Sequence, residues 1–339
     1  MKIVKYIALF FTAVLWFAGC SGDFAQWLFD HKLIKDDYRY GDLYRMSNLP
    51  QFRELKETCE VNAPVKNSQV HLVLAGDSFT EEGRVQEDYL SAGKFTRIRV
   101  DEQTEVDLDT SDYNVLVIET VERHFRERFA KRWNWVIPYD KNQTGDSRTW
   151  YKKILDLKMP YQTERHEAVL FGYDWTMKVR EWKALLNYKL FHRVDEGVAL
   201  NRSEEHLLYR LPTQNGISSA FDPVSDEEII ALIQHVNDTY TYYLDFGFDD
   251  VILSIIPNKT SILGQDLGKY NKLVLKIETN PDLRMPVIDI CRDFISMGEK
   301  AYAMGDTHWS CEGQQIWLDK LNERLVDQPS NVSTNAAVL

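Results

Sequence analysis

The chain has 339 residues, is 44% hydrophobic and carries a formal net charge of −12 at pH 7. It is long enough to bury a full core and still hold an insertion or a second domain. The acidic balance excludes the basic face that nucleic-acid binding requires and disfavours a strongly anionic polymer unless a local basic patch overrides the global field.

Residues 1–20 read as a targeting segment. Lys2 and Lys5 precede an uncharged apolar run, 6–18, and the segment ends in Phe17-Ala18-Gly19-Cys20. The layout fits a secretory leader, and Cys20 after Ala-Gly fits a bacterial lipobox, which makes it the lipidation candidate. An uncleaved anchor over 3–19, about the minimum bilayer span, is the alternative, and plain cleavage is the third. Each reading exports the rest of the chain to the cell envelope. With Cys20 set aside, Cys59, Cys291 and Cys311 remain, so at most one disulfide can form among them. No pair has metal-site spacing, so neither a metal nor a cofactor is implied. Cys311 reads as a small buried residue. Glycosylation-type triplets at Asn142, Asn201, Asn237, Asn258 and Asn331 read as chance behind a bacterial-style leader.

Residues 21–68 are polar with aromatic punctuation and read as a stem, although Tyr-Arg-Tyr-Gly-Asp-Leu-Tyr-Arg from position 38 is too specific for a spacer. The core begins at 69. Residues 70–75 and 115–118 are apolar runs broken only by His71, as expected of strands covered on both faces. Residues 96–100 alternate and belong nearer an edge, while 251–256 and 287–290 are further buried strands. Over 225–246, Ser225 and Glu228 form a capping box, and Ile229, Ile233, Val236, Tyr240 and Tyr243 fall on one stripe. Gly247 stops that helix, and Leu318, Leu321 and Leu325 mark the last one. Strands alternating with helices imply a parallel sheet in a three-layer α/β domain over 69–326. Residues 135–222 interrupt the alternation as an insertion holding Trp135, Trp150, Trp175 and Trp182, with loop from 211 to 223. Those rings are core or a sugar-stacking platform. Residues 327–339 read as a disordered tail.

Two blocks carry chemistry. Residues 72–82 (LVLAGDSFTEE) predict a buried strand, a tight turn at Gly76 and a helix starting at Ser78. The helix start would offer partial positive charge to an oxyanion, together with the Ser78 N–H. Read structurally, Ser78 and Glu81 are a capping box and Asp77 a cap. Residues 305–317 (GDTHWSCEGQQIW) place Asp306 two residues from His308, on one side of an extended loop. Asp306 can then hold Nδ1–H of His308 and leave Nε2 free to take a serine proton. Trp309 and Trp317 are expected to pack beneath this block.

The early Gly-Asp-Ser-Phe and the Asp-x-His-Trp before the last helix resemble the SGNH hydrolase superfamily. Gly-Asp-Thr-His-Trp-Ser in particular is similar to the alginate O-acetyltransferase group (AlgX/AlgJ type) and the DHHW proteins of bacterial polysaccharide loci. The resemblance implies an SGNH-hydrolase-like (flavodoxin-like) sheet, with Ser78 as nucleophile, His308 as base and Asp306 as orienting acid. It implies acetyl transfer to hydroxyls of an exported polysaccharide, with a membrane-bound protein as acetyl donor and the chain held at the periplasmic membrane. Gly305 stands where SGNH hydrolases carry their aspartate, and Asp306-x-His308 follows the serine rather than preceding it as in the alginate proteins. The usual Gly-x-Asn-Asp block is absent, and its place reads Glu119-Thr120-Val121-Glu122-Arg123. Gly76, Asp77, Thr120 and Arg123, with Asn258 and Lys259 after the strand 251–256, are the substrate and oxyanion candidates. A Glu122–Arg123 ion pair is the structural alternative, and the second oxyanion donor is unassigned. An acetylesterase using the same triad and a non-catalytic carbohydrate-binding subunit remain the other functional readings.

Overall fold

The computed structural model describes residues 2–20, 31, 33, 37–55, 58–138, 173–210 and 220–327. Helices α1 (Lys2–Cys20) and α2 (Asp42–Ser47) come first. Strands β1 (Asn67–Gly76), β2 (Ala92–Arg99), β3 (Thr104–Val106) and β4 (Tyr113–Val121) follow. Then come α3 (Glu122–Arg128), β5 (Val136–Pro138), α4 (Asp174–Phe191), β6 (Val198–Leu200) and β7 (Leu207–Tyr209). The rest is α5 (Asp226–Phe246), β8 (Asp250–Ile256), α6 (Lys259–Leu263), α7 (Leu273–Glu278), α8 (Cys291–Met297) and α9 (Cys311–Val326). Trp150, the loop residues 211–219 and the tail beyond 327 lie outside the described residues, as does the side chain of Cys20. Among the described residues no helix is long and apolar enough to cross a membrane.

The chain divides into two compact units, residues 1–56 with 141–195, and 57–140 with 196–339. The second holds the sheet, four parallel strands in the order β2-β1-β4-β8. Alternation of side chains splits each strand between two cores. Val73, Ala75, Leu116, Ile118, Val251 and Leu253 pack with Ile229, Ile233 and Val236 of α5 and with Val274 of α7. Leu72, Leu74, Val115, Val117, Ile252 and Ile256 pack with Phe294 of α8 and with Trp317, Leu318, Leu321 and Leu325 of α9. The result is a sheet covered on both faces, as the uninterrupted apolar runs require, with β2 at an edge as its alternation predicts. His71 is tolerated inside because its ring nitrogens meet Asn114 Oδ1 at 3.1 Å and Thr96 Oγ1 at 2.9 Å.

Of the expected capping box on α5 one half forms: Ser225 Oγ accepts the Glu228 N–H at 3.2 Å, whereas the Glu228 carboxylate accepts from Arg126 at 2.6 and 2.8 Å; Gly247, at φ 120°, ends the helix. Two expected elements do not form. Residues 287–290 contribute a single bridge, Leu253 to Val287, because the chain turns into α8 at Cys291. No helix follows β1 either; residues 77–85 run in turns. Arg97 explains this, since its guanidinium donates to the carbonyls of Thr80 and Val85, acceptors that a helix would have used for itself. Cys311 is not a lone buried residue but is bonded to Cys59, which leaves Cys291 as the free buried thiol among the described residues. Asn201, Asn237 and Asn258 are buried and cannot serve as glycan acceptors.

In the first unit residues 40–53, part of the span read as a stem, fold against α4. Tyr44 Oη donates to Glu181 Oε1 at 2.7 Å, Arg53 reaches the same oxygen at 3.3 Å, and the Arg53 guanidinium lies over the Tyr40 ring. This accounts for the specific sequence from position 38, which supplies the partners of a buried glutamate.

Candidate active site

Parallel strands bring three chain segments to one end of the sheet, where β1, β4 and β8 all finish. The chain leaves β1 for β2 on one side and β4 on the other, so the ends of β1 and β4 flank a topological switch point. Ser78 stands there with an exposed side chain. His308 Nε2 lies 2.8 Å from Ser78 Oγ, and His308 Nδ1 lies 2.5 Å from Asp306 Oδ1. Asp306 Oδ1 also accepts the His308 N–H at 3.2 Å, the same-side geometry expected of residues two apart. Asp306 and His308 are buried, and Phe79 packs against the imidazole with ring centres 4.6 Å apart and planes tilted by 47°. Trp309 and Trp317 pack below as expected, 5.5 Å apart, with Trp317 Nε1 bonded to Ser254 Oγ. This order, hydroxyl to imidazole to carboxylate, lets the ring accept the serine proton while the aspartate stabilises the imidazolium.

Asp77 and Glu119 bracket the turn that carries Ser78. Asp77 Oδ1 accepts the Phe79 N–H, and Oδ2 accepts the Val121 N–H at 3.1 Å and Arg128 at 3.3 Å. In return Glu119 Oε2 accepts the Asp77 N–H at 2.9 Å and the Thr80 hydroxyl at 3.1 Å. Burial pushes the Asp77 carboxyl up, but Arg128, the Phe79 N–H, Arg123 and the Val121 N–H outweigh it and hold Asp77 below its ordinary range. Burial, then the Asp77 charge, pushes the Glu119 carboxyl well above its ordinary value and so favours its protonated form beside the Asp77 carboxylate. Asp77 thus braces the turn at Ser78. Gly76 serves the same bracket, because a Cβ there would come within 1.8 Å of Thr80 Oγ1 and 3.0 Å of Glu119 Oε2. Its role is close approach rather than a special turn. Of the N–H groups from 77 to 80, only that of Ser78 has no partner among the described residues.

The remaining candidates divide. Thr120 is buried and its hydroxyl accepts Arg128, so it belongs to the bracket. The expected Glu122–Arg123 ion pair is absent. Glu122 turns inward to accept the Asn258 N–H at 2.8 Å and the Ser261 hydroxyl at 2.6 Å, and burial raises its pKa. Arg123 instead lies over the Tyr209 ring, 5.7 Å from its centre. Lys259 lines the same cavity as Arg123 and Asn258, and its ammonium donates to the carbonyls of Ala303 at 2.6 Å, Met304 at 2.9 Å and Asp306 at 3.0 Å, tying down the loop that carries Asp306 and His308. That cavity, of about 270 Å³, is lined also by Tyr209, Arg210 and Thr307.

Sequence reasoning missed Arg84, Glu119 and Arg128. Arg84 pairs with Asp306 Oδ2 at 3.4 Å and so holds the carboxylate oxygen that His308 does not use. Glu119 lay within the block searched for an oxyanion motif, and its place at the end of an otherwise apolar strand was the one signal available. Compared with known proteins, the chain matches no family model, no curated protein and no solved structure.

Proposed function

We propose that the protein is an acyl-transfer enzyme of SGNH-like architecture that moves acetyl groups onto hydroxyls of an exported cell-envelope polysaccharide through an acetyl-serine intermediate. The observation that carries the reading is the continuous chain Ser78 Oγ, His308 Nε2, His308 Nδ1, Asp306 Oδ1, with spacings of 2.8 and 2.5 Å. Ser78 Oγ attacks the acetyl carbonyl and its proton passes to His308 Nε2. The Ser78 N–H faces the developing oxyanion, and the leaving group departs with the proton from His308. A sugar hydroxyl then attacks the acyl-serine, giving its proton to His308, and Ser78 is restored. The cavity between Arg123, Arg210 and Asn258 is the place for the acceptor sugar. Export is supported by the leader-like residues 1–20 and by the Cys59–Cys311 disulfide, a bond that persists in oxidising compartments. Acetyl-CoA is absent there, so the donor is a membrane-bound partner, and Cys20 is the lipid attachment point. An acetylesterase with the same triad is the second reading, favoured by the serine-first, histidine-last order.

The test is intact-mass spectrometry of the chain mixed with p-nitrophenyl acetate. Wild type is expected to carry one acetyl adduct that Ser78→Ala lacks, and decay hastened by oligosaccharide marks the transferase. Fast decay in water alone marks the esterase. An adduct on Ser78→Ala, or full turnover by His308→Ala, sinks the assignment. No adduct on either protein points to a non-catalytic subunit.

A further inference from the structure

We propose that α4 lies in the interface of an anionic bilayer, independently of the acyl chemistry. Trp175, Val179, Trp182, Leu186 and Leu190 recur at helical spacing, and their exposures are 69%, 59%, 67%, 41% and 63%. Such a stripe normally faces a core. Here the core side of the helix is a different one, where Thr176, Met177 and Glu181 are buried and Glu181 is held by Tyr44 and Arg53. The inner face is fixed by the buried Glu181 and its two partners, so the apolar stripe is turned outward.

The charges beside the stripe identify what it meets. At 100° per residue Lys178 and Lys189 fall on one flank and Lys183 on the other, and all three are exposed. Of the helix's acids, Glu181 is buried and Asp174 is paired with Arg39 at 3.6 Å. A chain of net charge −12 therefore presents a locally basic rim around two tryptophans. Lysine is depleted in protein–protein interfaces. Tryptophan with flanking lysine is the composition of helices that lie in the headgroup region of anionic membranes. A cavity of about 520 Å³ shares Lys183 with this flank and is lined also by Arg180, Asn187, Phe191, Arg193 and Asp195, a setting for a lipid phosphate.

The test must separate α4 from the exposed apolar residues of α1, which can tether the chain alone. Hydroxyl-radical footprinting of the full chain does so, because mass spectrometry reads oxidation ring by ring. With vesicles of phosphatidylcholine and phosphatidylglycerol, oxidation of Trp175 and Trp182 is expected to fall about fivefold, while Trp135 is unchanged. Replacing Lys178, Lys183 and Lys189 together with Gln, with an unchanged thermal melt, should weaken this protection about 100-fold in lipid concentration, each lysine counting about fivefold. Equal oxidation with and without vesicles overturns the proposal. So does protection already present in dilute lipid-free protein, which would put the stripe against the chain itself, or protection that grows with protein concentration, which would put it against a second copy.

Discussion

At the scale of single residues, the site is organised by protons held in unequal environments. Glu119 accepts two hydrogen bonds through one oxygen and is pushed towards its protonated form, whereas Asp77 in the same bracket is held towards its ionised form by Arg128. Glu119→Gln preserves the acceptor oxygen and the neutral state, so activity should stay within about threefold of wild type. Glu119→Ala leaves the Asp77 N–H and Thr80 hydroxyl unpaired and should cost about 2–4 kcal/mol with a loss of activity. The sign of the pH effect follows from the raised folded-state pKa. The folded protein holds this proton where the unfolded chain has lost it, so stability falls as pH rises above the ordinary value of 4.5. Thermal midpoints measured across pH should fall less steeply in Glu119→Gln; an unchanged slope would show that Glu119 is ionised. For the triad, Ser78→Ala, His308→Ala and the double variant should each lose about 10⁴-fold or more in acetyl turnover, the double being little worse than either single, since the members act as a unit.

Elements matter here as carriers of loops. The segment between α8 and α9 opens with a 3-10 turn, Gly298–Ala301, and carries Asp306 and His308 in a loop closed by a Tyr302–Trp309 bridge, which is stiffened further from outside. Lys259, at the start of α6, binds three of its carbonyls, and the Leu207 N–H of β7 binds the Met304 carbonyl at 3.0 Å. His206, next along that hairpin, is kept neutral by burial and by Lys259, with its pKa lowered to about 4. Lys259→Met removes the ammonium and leaves the carbonyls unpaired, which should cost about 2–4 kcal/mol. Its kcat for acetyl release should fall further than its KM rises, because the loop that places the base is loosened. Lys259→Arg should not rescue it, since a planar guanidinium fork cannot converge on three carbonyls as an ammonium does. Full kcat in Lys259→Met would show that the loop holds itself.

For the whole molecule, the Cys59–Cys311 disulfide spans a sequence separation of 252 and fixes the approach to β1 onto the first residue of α9, three positions after His308. Reduction should cost about 2–5 kcal/mol and lower the thermal midpoint by roughly 5–15 °C. Differential scanning calorimetry with and without reductant measures this, with Cys59→Ser as the control that reductant should no longer affect.

Much of this was legible in the amino-acid sequence because it depends on near neighbours and on period. The two-sided burial of residues 70–75 and 115–118, the capping of α5 by Ser225, the edge position of β2 and the geometry of Asp306 with His308 are set by local pattern, and the structure reproduces them. Partners far apart in the chain were not legible. Arg97 prevents the helix that Ser78-x-x-Glu81 predicts, Glu122 abandons Arg123 for Ser261, and Arg84 reaches Asp306 across 222 positions. The pairing of Cys59 with Cys311 and the choice of Glu181 as the buried side of α4 belong to the same class. The sequence by itself determined the strands of the sheet, the longer helices that cover it and the placing of Asp306 beside His308, because periodicity and spacing are local quantities. Only the tertiary structure decided which charges meet and which carboxyls stay protonated, because burial and Coulomb attraction depend on distances that chain order does not contain.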